Sequence, residues 1–126
     1  MNDVHVTVQG NLGGPVRHHE TANGPVASFR LGCTPSWFDR RTQQWVEGET
    51  QWYSVSAWRA LATHCSASLS AGDPVVVHGR LTMRTWEDAD GKPHTDLELT
   101  ARTVGHDLAR GTSAFTRAVR AEAEAA

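Results

Sequence analysis

The 126-residue chain has one lysine, two cysteines and no apolar run long enough to span a membrane. Each shortage excludes something. Cys33 and Cys65 form no CxxC pair, so a zinc site is not expected and two reduced thiols are. Residues Gly10 to Pro15 are glycine-rich, but no GK[ST] follows, which removes a phosphate loop. His18 and His19 are adjacent, so on a strand they point to opposite faces and chelate a metal poorly. No nucleophile, base and orienting acid stand at a recognisable spacing; His64 and Cys65 are neighbours on a predicted helix and do not face each other. The chain is therefore not expected to be an enzyme, nor to hold a metal or another cofactor. The N-terminus lacks a basic start followed by an apolar stretch, so a cytoplasmic location is expected. An excess of positive charge is also missing. The net charge is −2 with pI near 6.4, which counts against a nucleic-acid partner unless the basic residues share one face. Apart from Lys92, every fixed cation is arginine, which both stacks on bases and forks onto phosphates.

What is present is alternation. The length suits a single domain with a core of its own. Val4, Val6 and Val8 alternate with polar residues in a first strand. Asn23-Gly24 signals a turn. Ala27, Phe29, Leu31 and Cys33 form the core face of a second strand, with Ser28, Arg30 and Gly32 opposite. Residues 37 to 49 read as an aromatic, arginine-bearing loop or ribbon with turn chemistry at residues 40–43. In the third strand Tyr53, Val55 and Ala57 face inward, while Trp52, Ser54, Ser56 and Trp58 share the polar face. A helix spans roughly residues 59–70, with Leu61, Ala62, Cys65 and Leu69 on one side and Gly72 as its C-terminal cap. In the long strand at 75–86, Val75, Val77, Gly79, Leu81 and Met83 point inward; His78, Arg80, Thr82, Arg84 and Trp86 point outward. A hairpin turn at Asp90-Gly91 leads to a closing strand in which Leu97, Leu99 and Ala101 alternate with Asp96, Glu98 and Thr100. The expectation is an all-β fold with one helix: a barrel of five antiparallel strands of the OB type, the helix between strands three and four, and protruding hairpins. Residues 1–106 form this domain and 107–126 a C-terminal extension, partly helical or disordered.

Two tryptophans separated by small hydroxyl residues make a flat open surface of the kind that stacks unpaired bases. Taken alone, Trp52 and Trp58 are equally well ordinary packing or interface residues. An OB barrel whose aromatic face binds protein is a further reading.

The motifs, in order, resemble the bacterial single-stranded DNA-binding protein family over roughly residues 2–105. Val8-x-Gly10-Asn11-Leu12-Gly13 with Arg17 is similar to its first strand and turn. Ser36-Trp37 with Asp39-Arg40 resembles the segment of its first stacking tryptophan and a phosphate-binding cation. Thr50-Gln51-Trp52 resembles the segment of the second. Trp58 stands where the family usually has a stacking phenylalanine. Gly79-x-Leu81 with Arg84, Trp86 and Asp90-Gly91 resembles the last platform strand and its hairpin. The resemblance implies sequence-independent binding of single-stranded DNA by a homotetramer in replication, recombination or repair, within the nucleoid-associated cytoplasm. Trp37, Trp52, Trp58 and Trp86 are the expected stacking residues. Arg17, Arg30, Arg40, Arg80 and Arg84 are the expected phosphate ligands. Ala71 and Thr85 stand where the family often has basic residues, so the electrostatic share of binding is expected to be lower. The sequence ends without the acidic, Pro-Phe-terminated tip by which the family recruits enzymes, and resembles a short paralogue; C-terminal recruitment is not expected.

Overall fold

The computed structural model describes residues 2–119. Its strands are β1 (Val4–Leu12), β2 (Arg17–Thr21), β3 (Gly24–Cys33), β4 (Ser36–Asp39), β5 (Gln44–Glu47), β6 (Gln51–Trp58), β7 (Pro74–Glu87) and β8 (Pro93–His106). The one helix, α1 (Ala60–Ser68), lies between β6 and β7. Neighbouring strands run β1-β7-β8-β6-β3, and β3 returns to β1 through Asn11↔Gly32 and Leu12↔Leu31. The five strands therefore form a closed ring, with α1 between the third and fourth of them, which is the OB arrangement. β2 is added to the free edge of β3, and β4–β5 form a separate ribbon.

One pairing departs from the antiparallel expectation: β6 and β8 run parallel, Val55 opposite Leu99. Geometry requires it. A closed ring in which every neighbour is antiparallel needs an even number of strands, and five leaves one like-directed pair. A bulge between His78 and Gly79 adds one residue on the β8 side.

The core follows the alternation. Ala27, Phe29 and Leu31 of β3, Val55 and Ala57 of β6, Val75 and Val77 of β7 and Leu99 of β8 are buried, and Ala62, Cys65 and Leu69 close one end. Leu31, Leu99, Val55, Val75 and Val77 are fully buried; each such side chain stabilises the fold by about 1.5–3 kcal/mol. Met83, read as inward-facing, is 65% exposed, because beyond Leu81 the β7–β8 hairpin leaves the barrel and has no layer to cover it. Gly72 does not cap α1. The helix ends at Leu69, whose N–H donates to the Cys65 carbonyl, and Gly72 stands in the following turn at φ +86°. Both cysteines are free, and burial pushes the Cys65 thiol up to about 11.

Residues 107–119 contain no helix or strand. Their start is tethered: His106 meets Ser113 Oγ through Nδ1 (2.8 Å) and Asp73 Oδ2 through Nε2 (2.9 Å). The helical expectation for the last residues falls mostly on 120–126, outside the described residues.

Candidate nucleic-acid interface

The outer face of the barrel is a set of cross-strand rows. One row runs Arg17, Ser28, Ser56, Thr100, Arg80 and His5 across six strands. The next runs Arg30, Ser54, Glu98 and Thr82. Trp52 lies beyond the second row, opposite Gly32, and Trp58 beyond the first, opposite Val26. Six residues of strand separate the indoles by about 20 Å, and the floor between them is small hydroxyl side chains. Where the floor meets the β1–β2 turn there is an open hollow of about 590 Å³, bordered by Gly13, Arg17, Ser28, Arg30, Ser54 and Ser56.

Each expected tryptophan is half-exposed: Trp37, Trp52, Trp58 and Trp86 lie between 41% and 49%. Trp52 lies flat because its neighbours are glycines. A Cβ on Gly13 would stand 2.5 Å from its ring, and one on Gly32 2.9 Å. Arg30 covers the same ring, its guanidinium 5.0 Å from the centroid. Trp58 is followed by Arg59, a non-glycine residue at φ 58° whose N–H donates to Pro25, where the chain turns from strand into helix.

Trp37 lies on the β4–β5 ribbon, opposite Val46. Phe38 and Trp45 are opposite each other on the other side of that ribbon, packed edge to face at 5.7 Å. Trp45, left out of the stacking set, is 72% exposed. Trp86 is held differently from Trp52. Its Nε1 donates to Asp96 Oδ2 at 3.0 Å, and His94 is stacked against it at 4.7 Å.

The arginines divide. Arg17, Arg30, Arg40 and Arg80 are exposed, and among the described residues none is paired with a carboxylate. Arg84 is committed: Asp96 lies at 3.1 Å and Glu98 at 3.3 Å. The sequence reading puts Asp96 on the outer face of the closing strand without a partner and gives His94 no place, because it does not fix the register across the Asp90-Gly91 turn. The hairpin is tight. Asp88 closes it by accepting the N–H groups of Asp90 and Lys92, so β8 starts at Pro93. Its carboxyl is held below the usual range, chiefly by the His94 hydrogen bond. Among the described residues, no cluster of three or more histidine, cysteine or acidic side chains could hold a metal ion, and no helix is long and apolar enough to cross a membrane.

Comparison with known proteins bears on the same residues. The family model described as the single-strand binding protein family matches residues 1–107. The chain is 47% identical over 125 residues to single-stranded DNA-binding protein 2 of Streptomyces avermitilis, covering 99% of this chain and 78% of that protein. It is 44% identical over 123 residues to single-stranded DNA-binding protein 1 of Streptomyces coelicolor, covering 98% and 78%. A crystal structure of the small single-stranded DNA-binding protein of Streptomyces coelicolor superposes with a TM-score of 0.80 at 42% identity, covering 88% of this chain and all of that one. With the barrel closed, the aromatic face outermost and the match running through both, the chain belongs to the single-strand binding protein family.

Proposed function

We propose that the chain binds single-stranded DNA without regard to sequence. Bases stack on Trp52, Trp58, Trp86 and Trp37, and phosphates meet Arg17, Arg30, Arg40 and Arg80. Arg84 joins them only by exchanging Asp96 and Glu98 for a phosphate. The observation that carries this reading is the face itself: half-exposed indoles around a hydroxyl floor, bordered by arginines with no carboxylate of their own among the described residues. Indoles accept any base, since every base has a π-face, and arginines fix the backbone. The family is one of non-enzymatic DNA-binding proteins, and the chain is not an enzyme.

The binding unit is residues 1–106, and residues 107–126 are an extension; a chain cut after Ala109 should keep its affinity. The unit assembles as a homotetramer. In support, β1 pairs with β7 along its length, but on its other edge only Asn11 and Leu12 are paired among the described residues. Val4 to Gly10 thus offer unpaired backbone groups to another strand. Sedimentation as a monomer at micromolar concentration would refute the assembly.

The test of binding is titration with oligo-dT, following tryptophan emission at two salt concentrations. Quenching with an affinity that falls as salt rises is expected, because arginine–phosphate contacts release counterions. Emission unmoved by saturating oligo-dT would overturn the reading.

A further inference from the structure

The reading above gives His94 no part. It stands directly opposite Trp86 in the β7–β8 register, and the two rings are stacked, centroids 4.7 Å apart and planes 21° apart. Its Nε2 meets Asp88 Oδ2 at 2.7 Å. Asp88 does not swing freely, since its other oxygen accepts the Asp90 and Lys92 N–H groups at 2.9 and 3.0 Å. The indole is fixed in turn, one face against the imidazole and its N–H on Asp96. One face of Trp86 remains for a base.

The charges around His94 come from every neighbouring segment. Glu87 and Arg84 belong to β7, Asp88, Asp90 and Lys92 to the turn, Asp96 and Glu98 to its own strand. Five carboxylates thus stand against two fixed cations, and one of those, Arg84, is bound to two of the carboxylates. A phosphate following a base onto Trp86 meets no free arginine in this hairpin.

We propose that His94 is a further nucleic-acid-binding residue, which backs Trp86 as the lower plate of a base-stacking site and on protonation lessens the excess of carboxylates that a phosphate meets in this hairpin. This rests on the reading of Trp86 as a stacking residue. The proton is accommodated on both sides: the imidazolium pairs with Asp88 and lies over an indole face, a favourable cation–π arrangement. Linkage then makes the effect reciprocal. A phosphate that favours the protonated ring requires that the protonated ring favour the phosphate.

The experiment measures oligo-dT affinity at pH 7.5 and 5.8, at one salt concentration, for the wild type, His94→Ala, His94→Phe and Trp86→Ala. On going to pH 5.8 the wild type should tighten about three- to fivefold more than either His94 variant, the size of one exposed charge pair. His94→Ala should bind less tightly at pH 7.5, and His94→Phe should recover part of that loss, by restoring a ring under Trp86, without recovering the gain at pH 5.8. In the free wild-type protein, emission lost in Trp86→Ala should be weaker at pH 5.8 than at pH 7.5, and His94→Phe should abolish that difference. If both His94 variants keep the full gain at pH 5.8 while Trp86→Ala binds weakly, the inference is wrong and the stacking reading stands. If Trp86→Ala binds like the wild type, the stacking reading of Trp86 fails and the inference with it.

Discussion

Trp52 and Trp86 are the same residue type on the same outer face, both beyond the row of Arg30, Ser54, Glu98 and Thr82, and they are held in place by opposite means. Trp52 rests on backbone: Gly13 and Gly32 leave room for the ring, and Arg30 covers it with a free positive charge. Trp86 rests on side chains: His94 lies against one face, Asp96 takes its N–H, and the nearest arginine is already neutralised by two carboxylates. The difference teaches that an exposed indole does not by itself define a binding site. On the proposed reading, its surroundings decide whether phosphate is attracted at once, as at Trp52, or only in exchange for an internal partner or with a proton, as at Trp86.

The comparison breaks most directly at Trp52. Stacking contributes about 1–3 kcal/mol per base, so Trp52→Ala should weaken oligo-dT binding roughly ten- to a hundredfold. Gly32→Val should reproduce much of this loss with the indole still present, because the new Cβ would stand 2.9 Å from the ring and lift it off the sheet. Equilibrium titration of the folded variants checks both. A silent Gly32→Val would mean that the glycine bed does not position the ring.

Salt dependence sharpens it next. Arg30→Ala should reduce the slope of log affinity against log salt by about one, the signature of one lost phosphate contact. Arg84→Ala should change the slope far less, since Asp96 and Glu98 already compensate its charge. Equal slopes lost in both would show that DNA displaces the carboxylates completely and that the surroundings of the two indoles are electrostatically alike. Trp45→Phe should cost less than about threefold, within the scatter of a surface change, as its ring leans on Phe38 across the ribbon. A larger loss would move the ribbon's binding side from Trp37 to Trp45.

How far this contrast was legible in the sequence differs between its halves. The Trp52 half was largely readable, because period-two alternation in β3 and β6 is a local signal and places Arg30, Ser54 and Trp52 on one face. Pairing direction is not local, and the parallel β6–β8 contact follows only once the ring is known to close with five strands. β2 gave no signal: Arg17 to Thr21 has no apolar alternation and all five residues are exposed, so the strand exists through its ladder to β3. In the Trp86 half, Pro93 and Asp90-Gly91 read as loop and hid His94. A signal was available. A hairpin centred on Asp90 pairs Trp86 with His94 and Arg84 with Asp96, which is the observed register. Centring the turn before assigning roles would have shown Arg84 facing a carboxylate.

The smallest effect separates the two indoles without DNA. Asp88 has its carboxyl lowered in the folded chain, first by the His94 hydrogen bond and then by the Lys92 N–H. A depressed carboxyl contributes its stabilisation above its unfolded value, about 3.9, and loses it as pH falls through the folded value. Acidification below about pH 4 should therefore loosen the Asp88–His94 contact, and with it the stack under Trp86. Among the described residues Trp52 has no hydrogen bond to a carboxylate, and its ring lies against Gly13, Gly32 and the Arg30 guanidinium. Following the two indole N–H resonances between pH 5 and pH 3 should show Trp86 moving with an apparent midpoint below 4 while Trp52 stays in place. Movement of both together would mean that the whole barrel responds to acid and that the carboxylate support is not a local property of the β7–β8 hairpin.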